Sequence, residues 1–436
     1  MRLIWLISLS ATEFSNVSHL RRQQNFHLQY KKLDLKHTLG FKIKESYFIM
    51  GVAVMQYRTL GRTQLQVSEI GLGCEGLSDQ DGALAPNLLD AAAEAGINYI
   101  DYYVPNPQVR DITGQSLKGR REKFLLQGHL CSVWRQGQYQ RTREIGAVQN
   151  SFMDLLKRLQ TDYVDVGMIH YVDALADWQQ VSEGAILAYA QKQKEAGSIR
   201  FLGLSSHNPQ VAIKAAQSGL IDVIMFSVNP CYDLQPAGEN VEELWNEKNY
   251  AQPLLNMDAE RQSFYETCQR LGVGITVMKA FGGGDLLNAE LSPAGRALTV
   301  NQCLHYALTR PAVASVLVGA HSVEQLQQCL AYENASAEEK DYAAALANFP
   351  NISWQGHCMY CGHCAPCPQQ IDIATVTKFY HLAQAQDNIP ETVREHYALL
   401  PQKAGDCIQC GVCESRCPFG VAIRQNMRQA QTLFGR

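Results

Sequence analysis

From Met55 onward, short β-branched or apolar runs alternate with longer amphipathic stretches. The hydrophobic period switches between two residues and about 3.6 as it does so. The short runs predict strands at Glu69–Gly73, Ile97–Tyr103, Phe124–Leu130, Asp165–Tyr171, Phe201–Ser206, Val223–Asn229, Gly274–Ala280 and Ser315–Ala320. Helical periodicity marks Asn87–Ala95, Ile145–Leu159, Gln210–Gln217, Glu260–Leu271 and Val300–Leu308 between them. Eight strands alternating with helices predict a (β/α)8 TIM barrel, since every parallel strand needs a crossover and eight such units close a ring. A doubly wound sheet is the competing architecture, and the regular spacing favours closure. Gln56–Ser68, with Gly61-Arg62-Thr63 at its centre, predicts a hairpin ahead of the first barrel strand.

Barrel periodicity fades after Leu330. Ala335–Asn348 then reads as one amphipathic helix, Pro350 as a break, and Ile373–Ala385 as a further helix. The chain therefore divides into an extension (1–54), a barrel (55–334) and a mainly helical C-terminal domain (335–436). In the extension, a short apolar run from Leu3 to Ala11 has Arg2 as its only leading charge, and a basic, patternless stretch follows it. That fits a disordered leader or an over-extended start better than a secretion signal. Composition adds exclusions. A net charge of −4 argues against nucleic acid or an anionic membrane as partner, and no apolar run is long enough to span a bilayer.

Fourteen cysteines are many for this length, and eight of them fall in two tight groups. Cys358, Cys361, Cys364 and Cys367 form C-x2-C-x2-C-x2-C before Pro368, while Cys407, Cys410, Cys413 and Cys417 form C-x2-C-x2-C-x3-C before Pro418. Such doubled runs predict two [4Fe-4S] clusters in a ferredoxin-like domain; zinc usually takes two separated C-x2-C pairs. Where two clusters share such motifs, the fourth cysteine of each serves the other cluster. The expected sets are Cys358, Cys361, Cys364 with Cys417, and Cys407, Cys410, Cys413 with Cys367. Gly362 and Gly411 would let the backbone approach inorganic sulfide. Clustering rather than spreading of cysteines points to a reduced, cytoplasmic setting. The six scattered cysteines, Cys74, Cys131, Cys231, Cys268, Cys303 and Cys329, carry no metal-binding spacing and read as small buried hydrophobes.

In the barrel region, a series of stretches in order carries a family resemblance. They are Tyr57-Arg58-Thr59-Leu60-Gly61, Gly96-Ile97-Asn98-Tyr99-Ile100-Asp101, Leu159-Gln160-Thr161-Asp162-Tyr163-Val164-Asp165 with Ile169-His170, and Ile199-Arg200-Phe201-Leu202-Gly203-Leu204-Ser205. Met278-Lys279-Ala280-Phe281-Gly282-Gly283-Gly284 and Gly319-Ala320-His321-Ser322-Val323-Glu324-Gln325-Leu326 complete them. From about Met55 to Leu330 the chain resembles the aldo-keto reductase family, and with its cysteine motifs it resembles that family's ferredoxin-fused branch. The resemblance implies a tetrad of Asp, Tyr, Lys and His at strand ends. Asp101 and His170 match two members; Asn106 stands where the tyrosine belongs, and His129 where the lysine belongs. Gly114 stays in register with the family glycine, so no gap restores the tyrosine. His129, or Tyr103 on the same strand parity as Asp101, is the expected replacement.

The resemblance further implies a nicotinamide site at Ser205 and Ser206, with phosphate contacts at Gly282, Gly283, Gly319 and Ser322. It is weakened, because Met225 replaces an amide and Gln325 a basic residue that would pair a 2′-phosphate. Nicotinamide passes two electrons and each cluster one, so NAD(P)H and the clusters together demand a flavin, a flavoprotein or ferredoxin-type partner, or a substrate able to hold one electron. The implied function is an iron–sulfur oxidoreductase that reduces a small, carbonyl-type substrate at the barrel mouth. The alternative is a non-catalytic electron-transfer module that wires a partner enzyme and keeps the barrel as scaffold.

Overall fold

The structure is a computed structural model. It describes residues 54–435 except 75–76, 78–82, 236, 239–253, 293–294, 348–351, 354–355, 357, 385–388 and 390. The expectations for the first 53 residues, for the far ends of Ala335–Asn348 and Ile373–Ala385, and for Pro350 lie outside the described residues.

The strands are β1 (Tyr57–Thr59), β2 (Gln66–Ser68), β3 (Ile70–Gly73), β4 (Tyr99–Tyr102), β5 (Leu125–Leu130), β6 (Ser132–Arg135), β7 (Gln138–Arg141), β8 (Val164–Ile169), β9 (Ile199–Ser206), β10 (Val223–Ser227), β11 (Leu254–Leu255), β12 (Gly274–Met278), β13 (Val313–Gly319) and β14 (Ile352–Ser353). Eight of them close a parallel barrel in the order β3, β4, β5, β8, β9, β10, β12, β13. Each expected strand is thus present, and the helices Ile145–Leu159 and Val300–Leu308 keep the expected bounds. β1 and β2 pair antiparallel as the expected hairpin. Its Leu60, Leu65 and Val67 join Tyr99, Val166, Met168, Val223, Met225 and Leu317 in a core of their own. That core fills the barrel and plugs its N-terminal end, so the open face is the one at the C-terminal strand ends.

One expected element differs. Ala335–Asn348 is not a single helix: turns lead to a short helix at Ala343–Leu346. Gln302 donates to the Asp341 carbonyl at 2.7 Å, removing an acceptor the helix would need. Tyr342, fully buried, is drawn instead toward the cysteine-bearing segment, where its hydroxyl donates to the Met359 carbonyl at 2.6 Å. Tertiary contacts override the local period here.

Two close approaches fix the barrel wall. Asp165, at the start of β8, is 1% exposed and accepts from Arg121, Arg200 and the Leu126 backbone. Gly114, on the helix Pro107–Leu117, lies where a Cβ would come within 2.0 Å of the Arg158 carbonyl oxygen. Gly114→Ala is expected to force two barrel helices apart and cost about 3 kcal/mol, the upper end for overpacking. A fall of several degrees in thermal midpoint checks this; an unchanged midpoint contradicts the packing.

Candidate functional site

At the open face, β4, β5 and β8 present side chains toward one another. Asp101, 1% exposed, accepts from Gln127 Nε2 at 2.6 Å and lies 2.8 Å from His129 Nε2. Gln127 is itself held by the Tyr99 hydroxyl at 2.8 Å and by Thr276 at 3.3 Å. His129 Nδ1 lies 2.8 Å from His170 Nδ1. Burial, then the neighbouring His129, push His170 well below the ordinary histidine range. Tyr103 stacks on His170 with ring centres 5.7 Å apart and meets His129 edge-on at 6.1 Å. The expected residues Asp101, His129, His170 and Tyr103 are therefore brought together. Asn106 is not among them: its side chain caps the helix Pro107–Leu117 by accepting from Gln108 N at 2.9 Å.

A residue the sequence reading missed completes the row. His170 Nε2 lies 2.7 Å from the Tyr139 hydroxyl, and Tyr139 is 37% exposed. Tyr139 belongs to the hairpin β6–β7, which leaves β5 through Cys131 in a left-handed conformation (φ 70°) and turns at Gln136-Gly137 (φ 52° and 75°). The backbone of Thr142 returns to the Cys131 carbonyl at 3.1 Å, and Ser132 Oγ donates to the Tyr103 carbonyl at 2.6 Å. The hairpin is thereby tied over the mouth. Its signal in the sequence was the Gln136-Gly137 turn dipeptide.

The nicotinamide residues fare differently. Ser206 Oγ donates to Asp173 at 3.1 Å and accepts from Asn208 N at 3.1 Å, while Asp173 also holds His207 Nδ1 at 2.9 Å. Ser322 is spent capping the helix Val323–Leu330, and Gln325 accepts from the His321 backbone at 2.8 Å. Gly282, Gly283 and Gly284 share positive φ, and a Cβ at Gly283, Gly284 or Gly319 would meet nothing within 4 Å. Ser205 is buried near the end of β9. Of the two carboxamide residues Ser206 is engaged by Asp173, and Gln325 brings no charge to the 2′-phosphate position.

The cysteine motifs do fit their group. Cys358, Cys361, Cys364 and Cys417 line one partly open cavity together with Gly362, Phe419 and Ile423. Among the described residues no three His, Cys, Asp or Glu side chains close on a single ion. Both motifs repeat the same left-handed positions, Tyr360 and Gly362 in one and Gln409 and Gly411 in the other. Burial pushes the Cys358 and Cys364 thiols up to about 12, so a bound metal must hold them as thiolates. Cys407 and Cys413 lie close enough to interact, and Arg416 bridges the second motif to the Pro366 carbonyl of the first at 2.7 Å. The six scattered cysteines are all buried, with burial pushing Cys131 to about 11 and Cys303 and Cys329 to about 12. They behave as packing residues.

The first motif docks on the barrel through Arg310, which precedes β13 and donates to the Met359 carbonyl between Cys358 and Cys361. Its guanidinium lies 4.5 Å from the centre of the Tyr306 ring and 5.6 Å from that of Tyr360.

The sequence model described as Aldo/keto reductase family matches residues 69–347. The chain belongs to the aldo/keto reductase family. A second model, a 4Fe-4S dicluster domain, matches residues 357–422. Relatives include the uncharacterized oxidoreductase YqkF of Bacillus subtilis (strain 168), 27% identical over 316 residues that cover 67% of this chain and 95% of the relative. L-Galactose dehydrogenase of Arabidopsis thaliana is 25% identical over 69% of this chain and 97% of the relative. Among solved structures, aldo-keto reductase AKR11C1 from Bacillus halodurans has a TM-score of 0.52 at 25% identity, covering 66% of this chain and 95% of that one. The reductase barrel is thus shared with these proteins, and this oxidoreductase adds an iron–sulfur domain to it.

The crossed ligand sets make a sharp expectation. Cys417→Ser should roughly halve iron content and remove the cluster that shares the cavity of Cys358, while the Cys407 cluster keeps its paramagnetic resonance signal when reduced. Loss of the Cys407 cluster with retention of the other would reverse the assignment.

Proposed function

We propose that this reductase reduces a small carbonyl compound at the barrel mouth with electrons that enter through two [4Fe-4S] clusters, one on Cys358, Cys361, Cys364 and Cys417, the other on Cys407, Cys410, Cys413 and Cys367. The observation that carries the reading is the hydrogen-bonded row Asp101–His129–His170 at the ends of three adjacent strands. Lysine is gone from the tetrad, yet its replacement keeps a nitrogen group against the same carboxylate. An imidazole has two nitrogens through which a proton can be carried and released, which carbonyl reduction requires. Loaded clusters supply electrons one at a time, and two electrons with two protons turn C=O into CHOH. A flavoprotein or ferredoxin-type donor is the partner class this demands, and a reduced compartment such as the cytoplasm suits it. No step is assigned to a nicotinamide, since Ser206 of its carboxamide pair is engaged by Asp173.

One observation favours the second reading, a scaffold that wires another enzyme. Arg310 fastens the first cysteine motif at the N-terminal end of β13, whereas the mouth lies at the C-terminal strand ends. Both readings are separated by one experiment on the anaerobic, reconstituted chain with its clusters chemically reduced. Mixing with a panel of aldehydes, ketones and oxo acids is expected to reoxidise the clusters, and His129→Ala is expected to slow this by a factor on the order of 10² or more with iron content unchanged. Identical rates for the two proteins would leave the barrel as scaffold.

A further inference from the structure

We propose that the hairpin β6–β7 supplies the missing half of the site: Tyr139 gives its hydroxyl proton to the substrate's carbonyl oxygen, and Arg141 binds a carboxylate one or two carbons away on the same molecule. The proposal rests on the reading that a carbonyl is reduced at this mouth, and it adds the substrate class, an oxo acid.

Donor and acceptor rules leave the row two arrangements, set by whether His129 carries one hydrogen or two. Asp101 as a carboxylate only accepts, so His129 Nε2–H donates to it. Two Nδ1 atoms 2.8 Å apart cannot both offer lone pairs, so one carries a hydrogen. In the proton-loaded arrangement, with hydrogens on both His129 nitrogens, the Nδ1–H donates to His170 Nδ1. Burial and the His129 charge keep His170 itself neutral, so its one hydrogen sits on Nε2 and donates to the Tyr139 oxygen at 2.7 Å. The Tyr139 hydrogen is then free to point into the mouth. Burial pushes Tyr139 up to about 12, which keeps it a phenol and a donor.

The transfer balances. As reduction leaves negative charge on the substrate oxygen, the Tyr139 O–H bond breaks and the new alcohol O–H forms. The His170 Nε2 proton passes to the Tyr139 oxygen, and the His129 Nδ1 proton passes to His170 Nδ1. His129 ends neutral, still donating to Asp101, and the tyrosine is restored. One positive charge and one alkoxide have cancelled. The two electrons are those delivered through the clusters from a low-potential one-electron donor, and solvent supplies the proton that ends on carbon.

Arg141 is two residues from Tyr139 on β7, so both side chains leave the same face. Tyr139 reaches His170 while the Arg141 guanidinium lies 3.6 Å from the ring centre of Tyr171, the next residue along. The neighbouring Arg143 is committed to Asp177 in a two-pronged pair at 2.9 and 2.6 Å. Arg141 has no carboxylate partner among the described residues, although it is held flat on an aromatic face close enough to Tyr139 and His170 to influence both. A guanidinium so placed is arranged for a carboxylate in the forked geometry. About 7 Å separates the two backbone positions, which suits an acid group close to the carbonyl.

Wild type, Tyr139→Phe and Arg141→Gln are compared as full-length, reconstituted, anaerobic proteins. Calorimetric titration of the oxidised proteins with oxamate and with neutral oxamide reads the anchor without turnover. Oxamate is expected to bind at least about tenfold tighter. Arg141→Gln should abolish the difference and Tyr139→Phe should keep it, whereas equal binding of both compounds by wild type overturns the anchor. Reoxidation of pre-reduced clusters by pyruvate, acetoacetate and methyl pyruvate reads the acid. Tyr139→Phe should lower kcat by roughly 10²–10⁴ at nearly constant KM. Arg141→Gln should raise KM for the two acids about tenfold and leave the ester unchanged. A Tyr139→Phe protein as fast as wild type overturns the acid. Oxamate binding that depends on Arg141, with no reoxidation by any keto compound, confirms the anion site and removes both carbonyl reduction and its acid.

Discussion

A carboxylate buried at the floor of the barrel mouth dictates what surrounds it. Asp101 is held among apolar strands, where a charge without partners would cost several kcal/mol. Gln127 and His129, both from the neighbouring β5, meet it at the same oxygen, Oδ1. Gln127 must in turn keep its amide oxygen occupied, and Tyr99 and Thr276 from opposite walls of the barrel do so. The polar studs therefore lock the strand register from within. They also fix the first bond of the row, because a carboxylate accepts and the ring beside it must donate.

A second buried charge joins the two parts of the molecule. Arg310 is 1% exposed, and its Nε and Nη1 have no hydrogen-bond partner while Nη2 serves Met359, Tyr342 and Thr309. Burial opposes its charge, but the nearby phenols and Asp233 together outweigh that and push it further up from an already high value. A cation fixed behind the loop that carries Cys358 and Cys361 faces the negative charge that four thiolates bring to a cluster. Its field would favour the reduced, more negative state of a cluster held there. The same residue thus serves docking and electrostatics.

The strands were legible because each parallel strand is buried on both faces and its apolar run is nearly unbroken. The cysteine motifs were legible because three thiols at i, i+3 and i+6 impose a compact loop, and Cys417 duly lines the cavity of Cys358, Cys361 and Cys364. The hairpin was not. Of its facing residues only Val133 and Ser132 are buried, while the Gln138–Arg141 strand is exposed throughout, so hydrophobic periodicity has nothing to report. Ala335–Asn348 misled for the converse reason: its helical period is real, but Gln302 and Met359 compete successfully for Asp341 and Tyr342. Asn106 offered a correct negative, since an asparagine two residues before Gln108 is a helix cap before it is anything else.

Moving the acid from a strand-end loop to a hairpin changes what the site can select. At the family position the tyrosine would sit on the βα loop that follows Asp101. On β7 the hydroxyl arrives with a strand attached, and the period of two places Arg141 on the same face at a set spacing. Acid and anchor then move together as one rigid piece tied down by Ser132 and Thr142. Two histidines bridge the distance that the displacement opened, from Asp101 to Tyr139. A single lysine, with one charged nitrogen, accepts nothing while protonated and cannot hand a proton from one side to the other. An imidazole has two distinct nitrogens and can. The exchange of lysine for His129 and the loss of tyrosine at Asn106 are accordingly one change rather than two.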